Sequence, residues 1–322
     1  MKVRQTHLSK PPVKKLNPRN VKRKPNATAK FYEHVGKKNP KDIMEQAISV
    51  YGKENFYALY SGGRDSGLVV EWLSEHDYLK SIVHVNTGVA MQMTTDFVKD
   101  ICQEKGWDLI VIEPKPKYKF ADICLEFGFP GPSFHRVVMG FLKFQPMRNF
   151  FMSLNDEKAS FVSGIRQMES KRRAKNFTSP YNEDSNMWFT APFYYYTNEE
   201  MYKMRITQNI KTSPAYETGV GISGDCLCGA YASYQEKAAL KKADPHLATY
   251  IEWLEEGVKQ FGTEYAKKHP RWGQTSSMTD IEQQTVLDHV LEKEGFTASE
   301  MAENQICGTD CGPGTMRGMM DI

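Results

Sequence analysis

Apolar and polar positions change period several times along this chain, and each change marks an element. A helical pattern opens at Pro40, with Ile43, Ala47, Ile48 and Tyr51 on one face. Residues 56–60 then form a short apolar and aromatic run of strand length. Ser61, Gly62 and Gly63 break that run, and Leu68, Val69, Val70 and Trp72 open a second helical stretch. Residues 81–86 read as another strand, ending in the turn Asn86, Thr87, Gly88. Residues 95–106 read as a helix with Phe97, Val98, Ile101 and Cys102 on its apolar face, residues 107–113 as a third strand, and residues 161–163 as a further short one. Strand and helix alternating at this spacing predict βαβ units. The expected fold is therefore α/β, a doubly wound and mostly parallel sheet. Ligands of such sheets bind beyond the C-terminal ends of the strands, so the Ser61 loop and the Asn86 turn are expected to line one crevice.

Further along, the pattern is less regular. Residues 188–196 are rich in aromatics, and Phe193 with Tyr194, Tyr195 and Tyr196 suits a core strand or an aromatic wedge. Thr197 followed by Glu199 and Glu200 reads as a helix N-cap with early acidic residues. A long, charged helical stretch is expected over residues 235–265 and a second over 278–294. Three regions follow: a basic mobile tail (1–30), a nucleotide-binding domain (31–212) and a cysteine-bearing helical region (213–322).

Composition narrows the class. Hydrophobic residues make up 40% of the 322 and charged residues 25%, which permits a core and argues against general disorder. The formal net charge is +3, and the tail, with Lys14, Lys15, Arg19, Lys22, Arg23 and Lys24, accounts for more than all of it. That tail suits contact with nucleic-acid phosphates or simple solvation. No apolar run is long enough to span a membrane, and the N-terminus lacks the apolar segment of a signal peptide, so a cytoplasmic protein is expected.

Two features carry chemistry. A strand, a Gly-rich turn and a helix form an anion cradle: glycines let backbone N–H groups approach, and the helix start adds partial positive charge. The Walker pattern is absent, because no Gly-Lys-Ser/Thr follows Gly62 and Gly63. Of six cysteines, Cys102 and Cys124 stand alone and suit buried small apolar positions. Cys226 with Cys228 and Cys307 with Cys311 form two close pairs; in a cytosolic chain such pairs point to metal or redox chemistry, and four thiolates suit a 4Fe–4S cluster or a tetrahedral zinc site. His34, His84, His135 and His246 show no ligand spacing and read as packing or surface residues.

Four segments together carry a resemblance. They are Ser61 to Ser66 (Ser-Gly-Gly-Arg-Asp-Ser), the Val-Asn-Thr-Gly run at 85–88, Gly164 to Arg166 with Glu169, Ser170 and Arg172, and Pro214 to Tyr216 leading to Cys226, Cys228 and Gly229. Over about residues 40–240 the chain resembles the phosphoadenosine phosphosulfate reductase-like branch of the adenine nucleotide α-hydrolase (PP-loop) superfamily. In outline it is most similar to the ATP pyrophosphatases of DNA phosphorothioation systems (Dnd and Ssp types). The resemblance implies ATP held by Ser61, Gly62, Gly63, Arg64 and Ser66, with Asn86, Thr87 and Gly88 nearby; Asn86 or Tyr57 is expected on the adenine side. It implies that Asp65 orients the loop or holds Mg²⁺, and that Arg166 and Arg172 clamp phosphate oxygens. Surface ion pairs with Glu169 or Glu183 are the plainer role for these arginines. It favours a cluster over zinc for Cys226, Cys228, Cys307 and Cys311. The implied activity is adenylation of an acceptor, with DNA the expected one, for sulfur taken from a donor such as a cysteine desulfurase. A sulfonucleotide reductase using Cys311 is the second reading, although Gly312 and Pro313 follow that cysteine where reductases carry a His after the Gly. A nucleotide-sensing or nucleic-acid-binding subunit without turnover is the third.

Overall fold

A computed structural model of the chain describes residues 39–132, 134–169, 179–184, 186–220, 222–232 and 236–273. The basic tail, Arg172, the stretch at 278–294, Cys307 and Cys311 lie outside the described residues. Among the described residues six strands form one sheet: β1 (Asn55–Leu59), β2 (Leu79–Val85), β3 (Leu109–Ile112), β4 (Ala159–Val162), β5 (Tyr181–Asp184) and β6 (Met187–Thr190). Their order is β3-β2-β1-β4-β6-β5, with every neighbouring pair parallel except β5 with β6. The expected doubly wound, mostly parallel α/β architecture is the one observed.

Alternation along β1 explains the two layers of helices. Phe56 and Ala58 are fully buried on one face, and Tyr57 packs on the other, against Phe150. The helices α1 (Pro40–Ser49) and α2 (Arg64–Glu75) cover the first face, and α6 (Gln145–Leu154) covers the second beside β3 and β6. Every residue of β4 is buried, as a central parallel strand covered on both sides requires. Its one polar side chain, Ser160, shares a hydrogen bond with Thr190 of β6 (3.0 Å).

The remaining helices are α3 (Gln92–Lys105), α4 (Phe120–Phe127), α5 (His135–Met139), α7 (Asn198–Thr207), α8 (Glu236–Ala243) and α9 (Pro245–Phe261). The stretch expected as one helix over 235–265 is two, α8 and α9. Pro245 has no N–H to donate and disfavours helical geometry in Asp244. Asp244 instead caps both neighbours: its carboxylate accepts from the Leu247 N–H of α9 (2.9 Å) and the Gln92 N–H that opens α3 (3.2 Å). This distant cap lets α3 start three residues before its apolar periodicity predicts. A second apolar cluster joins Ile251, Leu254 and Val258 of α9 to Phe120, Phe141, Leu227 and Trp272.

The expected N-cap at Thr197 is a full capping box. Its hydroxyl accepts from the Glu200 N–H (3.2 Å), and the Glu200 carboxylate accepts from the Thr197 N–H (2.7 Å). The aromatic residues before it form turns rather than a strand, with Phe193 and Tyr194 fully buried. Replacing Thr197 by Ala is expected to lower unfolding free energy by about 1 kcal/mol, measured by urea denaturation. An unchanged midpoint would show that packing alone holds α7.

Candidate active site

The strand order reverses between β1 and β4, and the loops leaving these two strands meet there. The loop after β1 is already shaped. Gly62 adopts φ 72°, and a Cβ there would lie 3.2 Å from both Thr94 and Val98 of α3. Only glycine suits that backbone. The Ser61 and Ser66 hydroxyls lie 3.1 Å apart; Ser66 donates to the Gly63 carbonyl (3.2 Å), and the Gly63 N–H donates to Ser61 (3.3 Å). Gly63 caps α2 without a side chain, which leaves the first-turn N–H groups directed at the crevice.

The loop after β4 delivers Arg166. Its side chain is 4% exposed, and its Nη2 donates to Asp65 Oδ2 at 2.7 Å. Nη1 donates to Asn198 Oδ1 at the start of α7 (2.7 Å). A Cβ on Gly164 would lie 3.3 Å from the Asp65 carbonyl carbon and the Ser66 nitrogen, so the two loops run backbone against backbone. Arg166 therefore pairs with the loop's own carboxylate, not with Glu169 or Glu183. Its buried Nε has no hydrogen-bond partner among the described residues. Arg64 lies over the Tyr216 ring (4.2 Å to the centroid), and the Arg64 N–H donates to the Tyr216 hydroxyl (3.4 Å). Burial pushes the Tyr216 phenol above its ordinary pKa, so it stays protonated.

The side chains of the Asn86 turn are bonded within the fold. Asn86 donates to Glu113 (2.7 Å) and accepts from the Gly88 N–H (3.1 Å). Thr87 is buried, and its hydroxyl donates to the Asp225 carbonyl (3.1 Å). The turn thus secures the cysteine loop. Tyr57 packs in the sheet core, where it cannot reach an adenine.

That cysteine loop is pinned along its length. The Met91 N–H donates to the Gly224 carbonyl, the Leu227 N–H to Val89, and the Trp272 indole to the Leu227 carbonyl, each at 2.8 Å. Cys226 is half-buried and Cys228 buried, and both line a cavity of about 170 Å³ with Lys143, His135 and Tyr216. Lys143 stands on a π-helical turn, Gly140–Phe144, between α5 and α6. Its ammonium meets Asp225 Oδ2 at 2.5 Å, and the Ser223 hydroxyl donates to Oδ1 (2.7 Å). Burial opposes ionisation of Asp225, but Lys143, Ser223 and His84 outweigh it and hold the carboxyl below its ordinary value. His84 itself is buried, bonds the Tyr60 carbonyl through Nδ1 (2.9 Å), and has its pKa lowered by burial. It is a core histidine, as its lack of ligand spacing implies.

Tested against a metal or cluster, the described residues supply two thiols on one cavity wall. No group of three or more His, Cys, Asp or Glu fit to hold a metal occurs among them. A four-thiolate set is completed only with Cys307 and Cys311. Four residues of these sites escape the motif reading: Asn198, Tyr216, Lys143 and Asp225. Asp225 and Tyr216 stand inside recognised segments, and Lys143 shows as a cation among apolar neighbours. Asn198 carries no local signal of its contact with Arg166.

A crossover-linked parallel sheet with a shaped Ser-Gly-Gly loop at its switch point defines a PP-loop type of α/β domain. The phosphoadenosine phosphosulfate reductase domain matches residues 55–233, more than half of the chain, and the chain belongs to that family. No curated protein matches it. Among solved structures it is similar to the phosphoadenylyl-sulfate reductase of Candida auris in a phosphate complex (14% identity, 60% of this chain and 91% of that one, TM-score 0.45). It is also similar to the U34-tRNA thiolase NcsA of Methanococcus maripaludis with its 4Fe–4S cluster (13%, 77% and 87%, 0.37). A third is the NH3-dependent NAD synthetase of Campylobacter jejuni (14%, 75% and 96%, 0.34). No helix among the described residues is long and apolar enough to cross a membrane.

The Lys143–Asp225 pair generates a signed expectation. Asp225's lowered pKa means that its pairing stabilises the fold above the ordinary aspartate range and that this contribution is lost as pH falls through the lowered value. Lys143→Met leaves the carboxylate without its ammonium and is expected to cost about 3 kcal/mol near neutral pH. The gap from wild type should narrow as pH falls from neutral toward about 3, because the variant's buried carboxyl, without its ammonium, takes up a proton before the wild-type one does. Denaturant melts across that range check it; a pH-independent gap would assign the loss to packing.

Proposed function

We propose that this protein is an ATP pyrophosphatase that activates an acceptor by adenylation for sulfur incorporation. The observation that carries the reading is the meeting, at one loop, of the paired Ser61 and Ser66 hydroxyls with the Asp65–Arg166 pair. Backbone N–H groups from Gly63 onward and the two hydroxyls bind the β,γ-pyrophosphate. Arg166 stabilises charge that moves onto the leaving oxygens when the acceptor attacks the α-phosphorus. Arg172 is assigned a second clamp on the same oxygens.

Asp65 keeps Oδ2 on Arg166, and Oδ1 is the oxygen that would hold Mg²⁺, whose charge offsets that of the phosphates. Cys226 and Cys228, with Cys307 and Cys311, would bind a 4Fe–4S cluster that supplies sulfur or electron chemistry beside the activated acceptor; zinc is the alternative for the same thiols. DNA as acceptor, a cysteine desulfurase as sulfur donor and a cytoplasmic setting belong to this proposal. The closeness to DNA phosphorothioation enzymes rests on the loop wording and the paired cysteines.

Family membership favours one competing reading, reduction of a sulfated nucleotide. Product analysis separates the two. Purified protein with Mg²⁺, ATP and acceptor is expected to release AMP and pyrophosphate, and Asp65→Asn or Ser66→Ala to reduce turnover by at least about 100-fold. Adenosine bisphosphate and sulfite from phosphoadenosine phosphosulfate with a thiol reductant would replace the proposal by the reductase reading. ADP and phosphate would reject both.

A further inference from the structure

Helix α7 buries one residue, Met201, between an exposed Asn198 and a half-buried Arg205. Asn198 and Arg205 lie on the same face, seven positions apart and so two turns apart. Asn198 is bonded to Arg166, so that face is turned toward the phosphate loop. The end of the helix is fixed there as well. The Ile210 N–H donates to the Arg205 carbonyl (3.0 Å), and the Ile210 side chain lies 3.3 Å from where a Cβ on Gly67 of α2 would be.

Arg205 is half-buried in this position, and its Nε is shut off from solvent with no hydrogen-bond partner among the described residues. The one contact of its guanidinium group among the described residues is the Tyr202 ring, 5.6 Å to the centroid. Arg166 has the same feature, a buried Nε with no partner. A guanidinium so placed is costly to desolvate and needs an anion. Burial lowers the Arg205 pKa; Asp65 opposes this and the Arg64 and Arg166 cations add to it. Arg205 thus lies within electrostatic reach of Asp65, whose carboxylate is already paired with Arg166.

We propose that Arg205 is a phosphate-contacting residue, forming with Arg166 a paired guanidinium clamp on the pyrophosphate end of the bound nucleotide. The assignment rests on the ATP reading given above and adds to it a residue outside the recognised motifs. Two convergent forks on one anionic group provide directional, charge-assisted hydrogen bonds that a lysine cannot reproduce.

The test is calorimetric binding of Mg²⁺-pyrophosphate, ATP and AMP to the full chain. Arg205→Met keeps the apolar stem and is expected to weaken pyrophosphate and ATP binding by about 10- to 100-fold, with AMP binding unchanged. Lys203→Met removes a charge from the solvent side of the same helix and is expected to change nothing. Arg205→Lys should recover part of the affinity, and it carries the test if the Met variant fails to fold. Wild-type affinity for pyrophosphate in the Met variant, or an equal loss in Lys203→Met, would overturn the assignment. If the wild-type protein binds phosphoadenosine phosphosulfate and neither ATP nor pyrophosphate, the ATP reading falls. Arg205 is then judged on that ligand, kept if the Met variant binds it more weakly and rejected if it binds equally. Binding of none of these ligands by the wild-type protein rejects both.

Discussion

A single buried guanidinium ties together the three elements that meet at the Ser61–Ser66 loop. Arg166 leaves β4, meets Asp65 at the start of α2, and meets Asn198 at the start of α7. An arginine that is 4% exposed gains little net stability from such bonds, because desolvation consumes most of the Coulombic attraction. What it gains is position. Its Nη groups point in fixed directions, so the ends of two strands and two helices can sit in one arrangement only. The Gly164 backbone against Asp65 and Ser66 enforces the same arrangement sterically. Charge and close packing therefore specify the same geometry.

The cysteine loop depends on a different constraint, the supply of partners for its own backbone. Its carbonyls and N–H groups are taken by Thr87, Val89, Met91 and Trp272, residues far apart in sequence. The Trp272 N–H in turn donates to Glu255, which a largely buried Lys237 neutralises at 2.5 Å. Helices α8 and α9 thus act as a brace. They carry little recognisable chemistry, yet they fix the loop that holds Cys226 and Cys228. The π-helical turn serves the same end, because an extra residue in the α5–α6 connection brings Lys143 to face Asp225.

Legibility in the sequence follows this division. The sheet, its mostly parallel sense and the anion loop are local patterns: apolar runs of strand length, a Ser-Gly-Gly break, and helical periodicity. They could be read directly. The break at Pro245 was missed although the proline marks it, and the second function of Asp244, capping α3 from 152 positions away, has no local signal at all. Arg166 could be placed in the site by resemblance, whereas its partner could not. Glu169 and Glu183 were the near carboxylates in sequence, and Asp65 became the near one only once β4 lay beside β1. The Asn86 turn illustrates the converse. Its position at a strand end suggested nucleotide contact, but its side chains are used to satisfy Glu113 and the cysteine loop. No local pattern reveals which of two structural debts a polar turn will meet.

One residue joins the two halves of the chemistry. Tyr216 receives the Arg64 N–H on the loop side and lines the cysteine cavity on the other. Its neighbour Ser213 donates its N–H to the Gly62 carbonyl, and the Ser213 hydroxyl lies 2.8 Å from Thr94, which donates to Ser223 beside Asp225. The connection from the Ser61–Ser66 loop to the thiols therefore runs through a series of hydrogen bonds and one aromatic wall. Arg64 lies on the Tyr216 ring, and that ring bounds the space next to Cys226. The anion loop and the thiol cavity thus share one wall.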